Sequence, residues 1–232
     1  MRGKAFVITG GFGILGAETA RAAARAGGRV AVVDRAPQPP AGLQKDCGSQ
    51  TVVLGGIDLT DAAAARTAID TAHQKLGALD VLINIAGTFR WQTVADGDAA
   101  TWQLLFAINL QTAVNCCRAA IPHLAKSTGG RIVNIGANAA LKAGSGMGAY
   151  AASKAGVHRL TESLAEELKE SGITVNAVLP SIIDTPANRA DMPKADFSKW
   201  VTPQALAEVI LFLASAQAAP ITGALLPVTG RI

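Results

Sequence analysis

The chain alternates between two hydrophobic patterns along most of its length. Short runs rich in β-branched residues, typical of buried strands, are separated by longer Ala- and Leu-rich stretches with helical spacing. We predict seven strands, at Ala5–Thr9, Arg29–Val33, Thr51–Leu54, Val81–Asn84, Arg131–Ile135, Thr174–Leu179 and Ala224–Val228. We predict five long helices, at Ile14–Ala26, Asp61–Leu76, Ala99–Ala125, Tyr150–Ser171 and Pro203–Ala214. This alternation indicates an α/β fold in which helices cover both faces of a doubly wound parallel sheet.

No linker or change of composition marks a second domain, so residues 1–232 are predicted to form one. The segment Asp184–Thr202 interrupts the alternation, because it contains two prolines, two aromatic residues and several charges without a clear period. It follows the carboxyl end of a strand, the edge at which open α/β sheets bind ligands. We therefore predict an irregular lid loop over the substrate, with a tolerated surface insertion as the alternative.

Composition and charge narrow the range of partners. Half of the residues are apolar and 16% are charged, which favours one sizeable core and argues against disorder. Lys and Arg number 21 and Asp and Glu 17, so the net charge is +4, and no tract concentrates the cations. We therefore expect no nucleic-acid partner. The longest uncharged stretch, Val209–Gly230, is broken by Pro220, Gly223 and Pro227, so we expect no membrane span.

The cysteines Cys47, Cys116 and Cys117 have neither the spacing of a metal site nor the even number of a disulfide framework. Met1–Gly10 carries no secretory leader pattern. We expect a cytoplasmic protein with free, buried thiols and no metal. The three histidines, His73, His123 and His158, are dispersed over helices with no paired acid, and we expect ordinary structural or surface roles for them.

A glycine-rich segment follows the first predicted strand. Within it, Gly11, Gly13 and Gly16 form a G-x-G-x-x-G motif with the strand before it and the helix after it that the motif requires. The glycines permit a tight turn and a close approach of a pyrophosphate, and the helix directs its free N–H groups at the phosphates. The motif predicts a Rossmann-type dinucleotide site formed by Gly10, Gly11, Phe12, Gly13, Ile14, Leu15 and Gly16.

The end of the second strand bears on the choice of cofactor. Asp34 lies 18 residues after Gly16, close to the usual spacing of about 20 for the acid that binds the adenosine ribose. A carboxylate about 4 Å from a 2′-phosphate would be repelled by roughly 4 kcal/mol at an effective dielectric of 20. We therefore expect a preference for NAD(H). NADP(H) stays possible because Arg35 could pair with such a phosphate, and a turn-capping Asp34 is the alternative reading.

Tyr150, the only tyrosine, precedes Lys154 by four residues, which places both side chains on one face of a helix. A phenol with a pKa of about 10 must lose about two units, roughly 2.7 kcal/mol, to exchange protons near pH 8. A lysine cation about 5 Å away would supply about 3 kcal/mol at an effective dielectric of 20. The pair predicts a catalytic acid–base, with a half-buried tyrosine beside a solvated lysine as the alternative.

The glycine loop together with Tyr-x-x-x-Lys resembles the short-chain dehydrogenase/reductase family over essentially the full length of the chain. Asn84-Ile85-Ala86-Gly87 is similar to the Asn-Asn-Ala-Gly motif of that family, and Pro180–Thr185 is similar to its segment at the nicotinamide carboxamide, with Ser181 in place of the usual Gly. The resemblance implies that Asn109 belongs to a catalytic tetrad and positions a water leading to Lys154. It also implies cofactor contacts by Asp58, Leu59, Asn84, Ala86, Gly87, Tyr150, Lys154, Pro180, Ile183 and Thr185.

One position departs from the family pattern. Most members place a catalytic serine 13 residues before the tyrosine, where this chain has Ala137. Losing one hydrogen-bond donor to the reacting oxygen typically costs a factor of about 10²–10³ in rate. Three explanations are open: Asn138 supplies the donor, the substrate needs less polarisation, or the chain no longer catalyses.

The second explanation has support from a closer resemblance, to the quinoid dihydropteridine reductase branch, which also lacks the serine. The similar segments are Gly136-Ala137-Asn138-Ala139-Ala140-Leu141, Gly146-Met147 before Tyr150, Asp184-Thr185-Pro186, Asn188-Arg189, Met192-Pro193 and Ala195-Asp196-Phe197-Ser198 before Trp200. A quinonoid dihydropterin gains aromatic-like stability on accepting hydride and so needs less help from a donor. Asn109, however, is more typical of carbonyl-reducing members.

These observations lead to three hypotheses. The leading one is an NAD(H)-preferring oxidoreductase that transfers hydride to a small cyclic or planar acceptor lined by Trp91, Ala137, Met147 and Trp200. The second is an alcohol/ketone or 3-oxoacyl reductase of the same family, and the third is a dinucleotide-binding sensor without turnover. The resemblance also implies a homodimer or homotetramer formed through the helices Ala99–Ala125 and Tyr150–Ser171.

Overall fold

The computed structural model describes all 232 residues. Its seven strands are β1 (Ala5–Thr9), β2 (Arg29–Val33), β3 (Val52–Leu54), β4 (Val81–Asn84), β5 (Arg131–Ile135), β6 (Thr174–Pro180) and β7 (Leu225–Val228). They form one sheet in the order β3-β2-β1-β4-β5-β6-β7, and every neighbouring pair is parallel. The doubly wound Rossmann-type sheet is confirmed, with each strand within one residue of its predicted bounds.

Eight α-helices connect the strands: α1 (Ile14–Arg25), α2 (Leu43–Cys47), α3 (Ala62–Leu76), α4 (Ala99–Phe106), α5 (Thr112–Leu124), α6 (Gly148–Leu168), α7 (Pro186–Asp191) and α8 (Pro203–Leu213). Alternate strand residues face opposite sides of the sheet. On β1, Val7 belongs to the core under α3, α5 and α6, while Ile8 belongs to the core under α1 and α8. The short α2 and α7 were not predicted, because neither is long enough to show a helical period.

The predicted helix Ala99–Ala125 contains a structural interruption. Residues Ala107–Gln111 form one π-helical turn between α4 and α5. A π turn adds one residue to the helix, and such turns are frequent at functional sites. Here it lies around Asn109, whose side chain is only 1% exposed. By length and composition the stretch Ala99–Leu124 could also cross a membrane, but half of its most apolar window is buried inside the fold, and core helices pass the same test.

The lid segment (Asp184–Thr202) is more regular than predicted. It contains α7 and a 3₁₀ turn at Phe197–Lys199. Thr185 caps α7 by accepting a hydrogen bond from the Asn188 N–H, and Pro186 occupies the first helical turn, where proline is favoured. The expectation of an irregular loop was therefore wrong, because capping residues rather than hydrophobic period define this short helix.

Candidate active site

A cleft of about 410 Å³ opens at the carboxyl ends of the central strands. It lies where the strand order reverses between β1 and β4, the position at which doubly wound sheets bind ligands. Its lining residues are Gly10, Gly13, Ile14, Leu15, Gly16, Asp34, Arg35, Ile57, Asp58, Leu59, Thr60, Ile85, Ala86, Gly87, Thr88, Ile108 and Thr112. Eleven of the residues predicted to contact the cofactor are in this lining.

The glycine loop is shaped by two different steric requirements. A Cβ on Gly10 would lie 2.8 Å from the Ala86 nitrogen, and one on Gly11 would lie 2.6 Å from the Val32 side chain, so the protein itself requires these glycines. Gly13 is different, because the nearest atom to its Cβ would be the Gly10 carbonyl oxygen at 3.4 Å. The missing side chain of Gly13 leaves space in the cleft instead. A dinucleotide phosphate fits this cradle at the start of α1.

Asp34 is fixed at the mouth of the cleft by the loop it faces. Its Oδ2 accepts a hydrogen bond from the Phe12 N–H at 3.0 Å, and its Oδ1 accepts one from the Ala36 N–H at 2.9 Å. The turn-capping reading of Asp34 is therefore correct, and the residue also lines the cleft. Arg35 is exposed beside it.

A second carboxylate, that of Asp58, lies in the wall of the cleft. Asp58 Oδ1 accepts hydrogen bonds from Thr60, from the hydroxyl at 2.7 Å and from the N–H at 2.9 Å, and these bonds lower the pKa of Asp58. The neighbouring Leu59 is buried, and its carbonyl accepts a hydrogen bond from Asn115 Nδ2 at 3.0 Å. Asp58 is therefore an anion held in a fixed position.

Tyr150 and Lys154 lie one turn apart on α6, as predicted. Lys154 is 5% exposed, and its Nζ donates a hydrogen bond to the Ile135 carbonyl at 2.7 Å. Burial lowers the pKa of Lys154 to about 8 and raises the pKa of Tyr150 to about 12. The expected lowering of the Tyr150 pKa by Lys154 is therefore not found in this structure, because burial of the phenol is the effect that acts on its pKa.

Asn109 connects the π turn to α6. Its Nδ2 donates to Ser153 Oγ at 2.9 Å, and Ser153 Oγ donates to the Tyr150 carbonyl at 2.7 Å. Its Oδ1 accepts the Thr88 N–H at 2.7 Å. The side-chain amide is thus committed to protein groups, and it holds α6 against the loop after β4.

Gly87 lies between the cleft and two of the predicted catalytic residues, Asn109 and Lys154. It lines the cleft, and a Cβ there would lie 3.0 Å from Asn109 Oδ1 and 3.3 Å from Lys154 Nζ. A side chain at position 87 would therefore press against both polar groups, which lie directly behind this part of the cleft wall. The structure therefore brings the glycine loop, Asn109 and Lys154 to one continuous site.

Ala137 occupies the position of the family serine and is 3% exposed. Its N–H donates a hydrogen bond to His158 Nε2 at 3.3 Å, a contact that the sequence analysis missed. Asn138 begins a 3₁₀ turn, Asn138–Ala140, and its side chain is partly exposed. Ala137 has no hydroxyl. Of its two neighbours in sequence, only Asn138 has a side chain that can donate a hydrogen bond.

Aromatic side chains border the site. The Trp91 indole is 61% exposed, and its Nε1 donates to the Ser145 carbonyl at 3.0 Å, next to the loop that leads to Met147 and α6. Phe89 was not predicted, although it follows Gly87 by two residues. It is 50% exposed, and its ring meets the Tyr150 ring edge to face at a centroid distance of 5.0 Å.

Two predicted residues turn away from the cleft. Trp200 is 7% exposed and packs on Phe197, with ring centroids 4.7 Å apart, so it stabilises the lid segment instead of lining the site with Met147. The Asn84 side chain points into the protein, where its Nδ2 donates to Asn134 Oδ1 at 2.9 Å. Substrate contact by Trp200 and cofactor contact by the Asn84 side chain are therefore not supported.

The remaining predicted cofactor residues lie beyond the cleft at the end of β6. Pro180 is buried in the last position of the strand. Ile183 forms an isolated parallel bridge with Val201, and Thr185 caps α7. These contacts fix the start of the lid segment.

A parallel seven-stranded sheet, a glycine loop at its switch point and a Tyr-x-x-x-Lys pair on α6 together define a dinucleotide-dependent oxidoreductase. Residues 4–196 match the family model described as short chain dehydrogenase. The chain belongs to the short-chain dehydrogenase/reductase family.

Its relatives include enzymes that act on different substrates. It is 32% identical to 2-(S)-hydroxypropyl-CoM dehydrogenase 3 of Xanthobacter autotrophicus, over 99% of this chain and 96% of that protein. It is 30% identical to the 3-oxoacyl-acyl-carrier-protein reductase of Thermotoga maritima, over 100% and 98%. The crystal structure of carveol dehydrogenase from Mycobacterium avium in complex with NAD superimposes with a TM-score of 0.88 at 25% identity, covering 99% of this chain and 97% of that one. These three are not dihydropteridine reductases, so similarity to that branch rests on the motifs alone.

Proposed function

We propose that the chain is an NAD(H)-preferring reductase of a small, cyclic or planar acceptor. The observation that carries this proposal is the continuous site in which the Gly13 cradle and Asp34 lie at one end and Lys154 and Asn109 at the other, joined at Gly87. A bound nicotinamide would supply the hydride. The protein's own residues bind the cofactor, orient the acceptor and provide the proton.

The preference for NAD(H) is argued from charge. Asp34 lines the cleft with both carboxylate oxygens already bonded to backbone N–H groups, so it cannot easily swing away from a ribose. A carboxylate there accepts ribose hydroxyls and repels a 2′-phosphate. Arg35, exposed at the same edge, is the one feature that favours NADP(H).

Tyr150 is proposed as the proton donor. Because burial raises its pKa to about 12, the phenol is protonated at neutral pH, which suits reduction of an acceptor. Lys154 holds the nicotinamide ribose, and its cation stabilises the phenolate that forms when the proton leaves. Asn109 fixes the geometry of α6 through Ser153.

The acceptor class follows from what faces Tyr150. Position 137 carries a methyl group, so an acceptor that gains stability on reduction is favoured over one that needs a strong donor at its oxygen. The aromatic rings of Phe89 and Trp91 suit a flat substrate. We therefore favour a dihydropteridine-reductase-like activity, with Asn138 as the residue that replaces the serine.

A ketone or 3-oxoacyl reductase is the second candidate, favoured by the buried Asn109 in its π turn and by the names of the relatives. The test is NADH oxidation with quinonoid dihydropterin, a quinone, an aryl ketone and a 3-oxoacyl thioester, repeated with NADPH. Turnover of the pterin or quinone alone supports the first candidate. Turnover of the ketone or thioester alone supports the second, and binding of NADH without turnover of any acceptor supports a sensor.

We further propose a homodimer or homotetramer in the cytoplasm. The surface of α4 leaves Phe106 39% exposed, consistent with association through α4–α5 and α6. Light scattering of the purified protein measures the assembly, and a monomer would contradict it.

A further inference from the structure

One face of α6 contacts the end of β5 and the segment that follows it at two points. Tyr150, Lys154 and His158 are spaced four residues apart and share this face. Lys154 Nζ donates to the Ile135 carbonyl at 2.7 Å, and His158 Nε2 accepts the Ala137 N–H at 3.3 Å. The two contacts are two residues apart, one at the last residue of β5 and one just after it, so together they fix the direction in which the chain leaves the strand relative to Tyr150.

We propose that His158 is a positioning residue of the reaction, which holds the segment Gly136–Asn138 beside Tyr150 through its bond to the Ala137 N–H. The inference rests on the proposed function and deepens it. It assigns a role to a histidine for which the sequence indicated only a structural or surface one. Because Ala137 brings no side-chain donor, the placement of the segment and of Asn138 depends on this backbone anchor.

The packing around His158 shows that the fold keeps a space for the imidazole ring. The side chain is 2% exposed. A Cβ on Gly136 would lie 2.5 Å from His158 Nε2 and 3.2 Å from the Leu179 side chain. The φ of Gly136 is not in the left-handed region, so the position needs glycine for space. Gly136 therefore admits the imidazole between α6 and the end of β5.

The bond fixes the protonation state of His158. A ring nitrogen that accepts an N–H carries no proton, so the neutral imidazole has its proton on Nδ1. The charged groups that act on the ring are Lys154 and Arg159, both cations of α6, while Gly136, Ala137 and Leu179 are uncharged. Burial and these two cations lower the pKa of His158. At sufficiently low pH a proton on Nε2 would oppose the Ala137 N–H and release the segment.

The first experiment compares two variants of the full-length protein. His158→Gln keeps a neutral acceptor, and His158→Leu removes it at similar volume. We expect H158L to lose about tenfold in kcat and to raise KM for the acceptor, because a buried N–H loses its partner, while the Kd of NADH stays unchanged. H158Q should keep most of the activity and lose the acid limb that His158 contributes to the pH profile. His73→Gln, on α3, is the matched control and should keep that limb.

The second measurement does not depend on turnover. In ¹H–¹⁵N spectra the Ala137 amide of the wild type should shift on acidification, with a midpoint below the ordinary histidine value of about 6.5, and the amide of H158Q should not. An Ala137 amide that does not follow His158, or an H158L variant with unchanged kcat, overturns the inference. If the wild type reduces no acceptor, the proposed function fails, while the amide titration still decides whether His158 holds the segment.

Discussion

The Phe89 ring stands edge to face against the Tyr150 ring at a centroid distance of 5.0 Å and an interplanar angle of 87°. Phe89 is half exposed, so one side of its ring covers the proposed proton donor while the other faces solvent. This relationship joins the loop after β4 to α6 and excludes water from one side of the phenol. It contributes to the burial that keeps the pKa of Tyr150 high.

Replacing Phe89 by leucine tests its part in acceptor binding. A contact between two aromatic rings is worth about 0.5–1.5 kcal/mol. Losing such a contact between Phe89 and a planar acceptor should raise KM for that acceptor by a factor of about two to ten, with the Kd of NADH unchanged. Steady-state kinetics and NADH fluorescence titration measure the two effects. Val94→Ala, at an exposed apolar residue of the same loop, is the control. An equal loss for planar and linear acceptors would argue against ring recognition.

The cofactor preference depends on Asp34. Asp34→Asn removes the charge and keeps an acceptor for the Phe12 N–H, so we expect the ratio of kcat/KM for NADPH to that for NADH to rise about tenfold or more. The expected gain is below the full Coulomb value because Asp34 is partly exposed. Asp46→Asn, on α2, controls for net charge. If the wild type already prefers NADPH, Arg35 dominates the site.

Ala137→Ser restores the hydroxyl that the family pattern places there. We expect ketone reduction to rise by about tenfold or more, because a donor at this position is typically worth a factor of about 10²–10³, while pterin or quinone reduction changes little. Ala139→Ser, in the same segment, is the control. No gain with any ketone would mean that Asn138 already supplies the donor, and Asn138→Ala should then abolish acceptor reduction.

The strands were predictable from the sequence because their apolar runs are bounded by charged or glycine residues. Asp34 follows β2, for example, and Gly10 follows β1. The π turn at Asn109 was not predictable, since a one-residue insertion leaves the apolar character of the helix unchanged. The short helix α7 could be predicted only from its capping residue, Thr185, and from Pro186 in its first turn.

The candidate site was predictable where motifs define it and not where packing does. The glycine loop, Asp34 and the spacing of Tyr150 and Lys154 all follow from residue order. The burial of Trp200 and the bond of His158 to Ala137 depend on contacts between distant segments. The raised pKa of Tyr150 likewise depends on burial of the phenol, which the spacing of Tyr150 and Lys154 does not reveal.

The buried ammonium of Lys154 gives a prediction for stability. Its folded pKa of about 8 lies below the ordinary value of 10.5, so the unfolded chain binds the proton more tightly. The sign follows from linkage: burial of Lys154 destabilises the fold below pH 8, and this cost disappears as the pH rises towards the unfolded pKa. Lys154→Met should therefore raise the free energy of unfolding at pH 7, by at most roughly 3 kcal/mol, reduced by loss of the bond to Ile135.

Urea unfolding at pH 7 and pH 9.5 measures both parts of this prediction. Relative to K154M, the wild type should gain stability between the two values. Ionisation of the thiols in the unfolded chain, at Cys116 and Cys117 whose folded pKa values burial raises, lowers the stability of both proteins alike over this window. K154M should lack that gain and should also lose turnover, since it removes the cation proposed to stabilise the Tyr150 phenolate. Lys169→Met, an exposed lysine at the end of α6, should keep both the gain and the activity. A K154M protein less stable than the wild type at pH 7 would show that the bond to Ile135 outweighs the burial of the charge.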